Sequence, residues 1–131
     1  MTLILHGYRY SVYVRIVRLV LAEKGLAYEQ VEVNPFAADV PANYLTLHPF
    51  GRVPTLVHDG FGLYETGAIT RYVDRAFPGP SLQPADPKRH ARMDQIVGVD
   101  GFAADEGIRR GTTGLHFLQI MPGAKRPAHG L

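Results

Sequence analysis

A Val-Pro pair at Val53-Pro54 constrains this chain more than any other feature, because a short apolar run, a Gly-bearing turn and a second short run ending in an acid follow it at once. Proline has no N–H to give a ladder, so within sheets it is confined to strand starts, edges and bulges. Val53–Val57 therefore reads as a strand that begins at its proline end. Asp59-Gly60 supplies the hairpin turn, since both residues tolerate the positive φ that a tight turn requires. Gly62–Tyr64 reads as the return strand. Glu65-Thr66, followed by Ala68, Ile69, Tyr72 and Val73 at helical spacing, reads as a helix running to about Phe77. A carboxylate and a hydroxyl are thus expected to meet the free N–H groups of its first turn.

Upstream of the hairpin, elements alternate. Thr2–Leu5 is a short apolar strand that stops at Gly7, and Ser11–Lys24 carries Val14, Val17, Val20 and Leu21 at helical spacing, with Gly25 as the C′ residue. Tyr28–Val33 alternates as a strand with one solvated side. Asn34-Pro35 ends it, and a short helix is expected between Pro41 and Leu47. The order is β-α-β-α-β-β-α, an α/β fold in which a right-handed crossover makes the first two strands parallel.

Pro78-Gly79-Pro80, with Pro84 and Pro87, reads as a linker dividing residues 1–79 from residues 80–131. Asp86-Pro87-Lys88-Arg89 opens another helix, to which Ala91, Met93, Ile96 and Val97 give an apolar face until about residue 99. From Asp100 onward glycine recurs at Gly101, Gly107, Gly111, Gly114, Gly123 and Gly130, and no apolar periodicity survives more than one turn. The tail is expected to be weakly ordered, the remnant of a truncated or frame-shifted helical segment.

Composition excludes several classes of function. The net charge is only +2 over 131 residues, and the basic residues are scattered, so neither nucleic acid nor an anionic membrane is indicated as a partner. There is no cysteine, hence no disulfide framework, thiolate metal site or redox dithiol in this sequence. His6, His58 and His90 lack metal-ligand spacing. No apolar run approaches the roughly 20 residues that span a bilayer, and the start lacks a basic, apolar leader. A cytoplasmic protein is the expectation.

The segments LHGYRYS, ending at Ser11, and HPFGRVPTL…YETGAITRY, from His48 to Tyr72, resemble the N-terminal, thioredoxin-like domain of soluble glutathione transferases, over residues 1 to about 100. The resemblance implies that the Val53-Pro54 bond is cis, that Val53 pairs its backbone with the cysteinyl part of glutathione, and that Glu65 and Thr66 hold the γ-glutamyl group. Each pair alone has a plainer role, as strand start and helix cap. The resemblance further implies a serine-type activator, Ser11, whose hydroxyl would donate to the glutathione sulfur and favour thiolate. Serine before an apolar-periodic run is also an ordinary N-cap, and Tyr10 is the second candidate, because tyrosine fills this role in other branches. Tyr8 and Tyr13 are expected to pack or to line the substrate pocket.

This chain also departs from the pattern. Basic residues that bind the glycyl carboxylate in serine-type relatives are replaced by Ala37, Ala38, Asp39 and Val40, leaving Arg52 as the nearby cation. His48 stands where the family usually has Asn. Phe50, four places before Pro54, keeps the spacing of an aromatic residue that inserts into a partner subunit, which implies a homodimer. Ser11-Val12-Tyr13 replaces the Ser-Ser-Cys run of the maleylacetoacetate isomerase branch. Two functions follow: a transferase joining glutathione to a small hydrophobic electrophile, or a non-catalytic glutathione-binding or thioredoxin-like fragment that lacks the helical substrate domain.

Overall fold

The computed structural model describes residues 1–110, with side chains through Gly98. Strand β1 (Leu3–Gly7) lies inside a four-stranded sheet. It pairs in parallel with β2 (Glu29–Glu32) and antiparallel with β3 (Thr55–His58), and β3 pairs antiparallel with β4 (Phe61–Tyr64). The order is therefore β2-β1-β3-β4, the thioredoxin-like arrangement. Helix α1 (Val12–Glu23) makes the crossover that leaves β1 and β2 parallel, as expected of such a connection. Helix α2 (Ala42–Leu47) precedes β3, and α3 (Thr66–Ala76) follows β4.

The period-2 alternation of the strands gives the sheet two different faces. Leu5 and Leu56 share a register position and bury on one face with Leu3 of β1, with Val14, Val17 and Leu21 of α1, and with Ile69, Val73 and Phe77 of the third helix region. The next pair, His6 and Thr55, turns to the other face, where Tyr44 of α2 meets both: its ring lies 5.8 Å from that of His6 and its oxygen 3.0 Å from Thr55 Oγ1.

The turns follow their residue chemistry. Gly25 ends α1 at φ +64°, and Asp59 and Gly60 both have positive φ, which makes their turn the primed type that matches strand twist. Thr2 N–H donates to Asp59 Oδ1 at 2.7 Å, and Asp59 N–H donates back to the Thr2 carbonyl at 2.9 Å. That backbone donor holds the Asp59 carboxyl below its ordinary range. The β3 ladder starts at Thr55 and not at Val53, because proline offers it no N–H.

The described residues fall into two compact units, residues 1–82 and the segment from Gln83. Residues 80–82, read above as linker, are fastened to the first unit. Lys24 Nζ lies 2.8 Å from Asp74 Oδ1 with side chains only 1% and 3% exposed, and it also donates to the Pro80 carbonyl at 2.9 Å. Asp74 accepts from Leu82 N–H at 2.8 Å and from the Ser81 hydroxyl at 3.3 Å. In the second unit, α4 (Pro87–Arg110) starts with Asp86 Oδ2 accepting from Arg89 N–H at 3.0 Å and proline as its first residue. The helix does not stop near residue 99 but runs on to Arg110. Each interior glycine costs about 1 kcal/mol, and Ala103, Ala104, Glu106 and the paired arginines supply the opposing propensity. The remainder of the tail reading, from residue 111, lies outside the described residues.

A buried pair is costly to break from one side, because the surviving charge loses its opposite charge where water barely reaches it. Lys24→Met should therefore lower stability by about 3–5 kcal/mol in urea denaturation. The double variant Lys24→Met/Asp74→Leu should recover part of that loss.

Candidate functional site

Three loops meet at one end of the sheet because the registers force them to. Gly7, the last residue of β1, pairs with Glu32 at the end of β2; His6 pairs with Thr55 at the start of β3; and Thr55 pairs with Tyr64 at the end of β4. The loop to α1, the Val53-Pro54 segment and the Glu65-Thr66 junction thus emerge at a common edge. Gly7 lets the α1 side approach closely: a Cβ there would sit 2.6 Å from Val14 Cγ1.

Ser11 is the N-cap of α1, with φ −76° and ψ 127°, and its Oγ accepts from Val14 N–H at 3.3 Å. The capping role is therefore present. A hydroxyl has one hydrogen to donate as well, and none of the described residues takes the one on Ser11. The first turn of α1 holds no acidic side chain, so its N–H groups and the positive end of the helix dipole are not offset locally. Tyr10 is 73% exposed and packs edge-on against Tyr8, with centroids 5.4 Å apart. Arg9, between them, pairs with Glu32 at 3.2 Å.

The Val53–Pro54 peptide is cis, and Pro54 is buried. Val53 packs half-buried against the core, while its N–H and C=O have no hydrogen-bond partner among the described residues. Tyr44 stiffens this segment. Its hydroxyl donates to the Arg52 carbonyl and lies 3.0 Å from Thr55 Oγ1, so one buried side chain grips the chain on both sides of the proline. Burial pushes the Tyr44 phenol up, an effect that the Thr55 contact opposes.

Glu65 corrects the expectation of a side-chain cap. It occupies the N-cap position of α3 with φ 75° and ψ 119° and makes no capping hydrogen bond. Side-chain capping needs the extended backbone of an ordinary N-cap, and a left-handed residue does not have it. Only its carbonyl serves the helix, accepting from Ile69 N–H at 2.9 Å. Its side chain is exposed, and a non-glycine residue in this conformation stores about 1–3 kcal/mol of strain. Thr66, half-buried, is the first residue of α3.

His48 ties these parts together. It is 2% exposed and lies against Tyr64, with centroids 4.4 Å apart and the rings tilted by 33°. Its Nδ1 accepts from Phe50 N–H at 3.2 Å. Burial pushes its imidazole down; Glu65 opposes that shift and Arg52 reinforces it. Phe50 itself is 74% exposed. Sequence reasoning missed Tyr44; the only available signal was that a buried phenol needs a partner for its hydroxyl. Among the described residues no cluster of His, Cys, Asp or Glu could hold a metal ion, and no helix is long and apolar enough to cross a membrane.

Residues 5–81 match the family model of the glutathione S-transferase N-terminal domain. A stringent starvation protein A homolog from Haemophilus ducreyi is 40% identical over 77 residues, 59% of this chain and 35% of that protein. A glutathione S-transferase from Pseudomonas putida is 37% identical over 93 residues, 71% of this chain and 41% of the relative. Among solved structures, a glutathione transferase homolog from Drosophila mojavensis with bound glutathione superposes with a TM-score of 0.68 at 27% identity, over 76% of this chain and 47% of that one. The chain belongs to the glutathione S-transferase family, through its N-terminal domain. It spans about a third to two fifths of the curated relatives it matches.

The Tyr44 grip is testable by itself. Tyr44→Phe leaves the Arg52 carbonyl without its donor and the fully buried Thr55 hydroxyl without the oxygen that accepts from it, and should cost about 1–3 kcal/mol in urea denaturation. Thr66→Ala, which keeps every contact of Tyr44, should cost under 1 kcal/mol, in the ordinary range for a change outside the core.

Proposed function

We propose that this chain binds glutathione at the common edge of the sheet and raises the reactivity of its thiol through Ser11. One observation carries the reading: Val53, next to the buried proline, has an N–H and a C=O with no partner among the described residues, at the same sheet edge as the cap of α1 and the strained Glu65. A peptide backbone is the complement of such a pair. The cysteinyl part of glutathione would bond there, as a short added strand. Glu65 would pair with the γ-glutamyl ammonium, Thr66 would bind the adjoining carboxylate, and Arg52 would meet the glycyl carboxylate.

In this arrangement Ser11 acts by donation. Its hydroxyl hydrogen points to the sulfur while its oxygen keeps the bond from Val14, and the free N–H groups of α1 add positive potential. A hydrogen bond to a charged group is worth about 1.5–3 kcal/mol, and one pKa unit is about 1.36 kcal/mol. The bound thiol would then ionise about one to two units below its reference near 8.5. The proton leaves to solvent, the sulfur lone pair forms a C–S bond to a small hydrophobic electrophile, and the leaving group departs with its electron pair. Ser11 forms no covalent bond. Phe50, exposed beside the site, is the proposed contact of a homodimer.

A second reading is glutathione binding without turnover: the residues assigned above at the sheet edge serve glutathione, and none of them is assigned to the electrophile. Turnover needs a wall that holds the electrophile against sulfur, and positioning of that kind supplies a large part of catalysis.

Calorimetry and ultraviolet thiolate absorbance separate the parts. Glu65→Ala should weaken glutathione binding by about tenfold or more, and Thr66→Ala by less. Ser11→Ala should raise the pKa of the bound thiol by about one to two units, whereas Tyr10→Phe should leave it in place. Unchanged affinity in Glu65→Ala would overturn the binding assignment, and a shift in Tyr10→Phe would transfer the activating role to Tyr10. Conjugation of an aromatic electrophile at a rate near that of longer relatives would remove the second reading.

A further inference from the structure

We propose that His48 is a positioning residue for the glutathione-binding edge, and that only its neutral form holds the 48–53 segment in the binding geometry. The inference rests on the reading above for its ligand, and on contacts within the first unit for its mechanism. Phe50 N–H donates to His48 Nδ1, so that nitrogen must carry a lone pair and the proton must reside on Nε2. Protonation fills the lone pair and turns an acceptor into a donor that faces another donor. The side-chain bond that braces the turn beside the backbone bond from Gly51 N–H to the His48 carbonyl is then lost, and the turn immediately precedes Arg52 and Val53.

The surroundings decide whether such a proton is tolerated. From α2, the Tyr44 ring stacks at 6.4 Å and the Tyr44 carbonyl accepts from His48 N–H at 3.0 Å. From β4, Tyr64 covers the imidazole at 4.4 Å, and Glu65 lies just beyond it. From its own loop, Phe50 closes the third side at 6.2 Å and Arg52 contributes a positive charge. Aromatic faces and a carboxylate favour an imidazolium, while burial and Arg52 oppose it. The balance lowers the pKa of His48 from its ordinary value near 6.5. His6, on β1 across the Tyr44 ring, is lowered as well by burial, with Glu29 opposing, and it is the other histidine that titrates beside this segment.

The sign follows from linkage. A histidine whose folded pKa lies below its unfolded value binds fewer protons when folded, so its contribution is complete above about pH 6.5 and declines as pH falls toward the folded pKa. Acidification thus loosens the segment that carries Phe50, Arg52 and Val53. Glutathione keeps the same net charge between about pH 5 and 6.5, since carboxylates, amine and thiol titrate outside that window. An affinity change there belongs to the protein.

The test uses the full chain with glutathione as the probe, titrated calorimetrically from pH 7.5 to 5, together with amide hydrogen exchange at Phe50 without ligand. Wild type should lose affinity by about three- to tenfold, the equivalent of one ordinary hydrogen bond, and Phe50 protection should fall by a similar factor. His48→Asn, whose side-chain oxygen accepts without titrating, should show neither pH dependence, whereas His6→Asn should retain both. Equal acid sensitivity in wild type and His48→Asn, or a flat wild-type profile, overturns the proposal. Failure to bind glutathione at any pH overturns the proposed function and leaves the exchange measurement to decide the role of His48. A His48→Asn chain that does not fold is replaced by His48→Gln, judged on the same two profiles.

Discussion

Everything at the candidate site depends on the two-sided pairing of β1. Held in parallel by β2 and antiparallel by β3, Leu3–Gly7 fixes the register of both neighbours, and through β3 that of β4. Because side chains alternate, the same pairing decides what each face receives. Leu5 and Leu56 go to the helical core, and His6 and Thr55 to Tyr44. A slip of one residue would exchange the two sets, placing a histidine in the core and leucines against a phenol. The register is thus fixed by burial on both sides of the sheet.

The site edge is held by polar contacts made beside the core. Tyr44 grips the chain around Pro54, His48 closes the turn before it, and Ser11 caps the helix that faces it. Each contact sits at the end of an element, where backbone groups lack regular partners. These are the positions at which a ligand backbone can substitute for protein backbone. The groups left over, on Val53 and Ser11, are what makes this edge chemically different from the hairpin at the opposite end, where Asp59 and Thr2 satisfy one another.

Legibility in the sequence follows the range of the interaction. The spacing of Val14, Val17 and Leu21, the Asp59-Gly60 turn and the Gly25 stop are local signals, and each marks the element found there. Pairs formed across long separations leave no such signal. Neither Lys24 nor Asp74 looks different from a surface charge, yet they form a buried pair that reaches Pro80 and Leu82. Tyr44 was invisible for the same reason. The extension of α4 to Arg110 shows a different limit: glycine lowers helix propensity by a modest amount, and reading it as a stop overweights it. At the site, the residues of the common edge were legible through resemblance to a family, whereas the conformation of Glu65 was not, since nothing in a glutamate side chain announces a left-handed backbone.

That conformation also bears on how the start of α3 could be stabilised. Glycine adopts a φ near +75° without the clash that a Cβ brings, so one substitution at position 65 would relax the backbone at the start of α3. Stabilising changes of this kind are readily available to proteins, and their recurrent cost falls where a strained residue serves a site. Here an acid stands on the strained backbone, its side chain exposed and unused by the helix it precedes. The strain and the acid at position 65 are thus separable: glycine there would relax the backbone and remove the exposed carboxylate, whereas alanine would remove only the carboxylate.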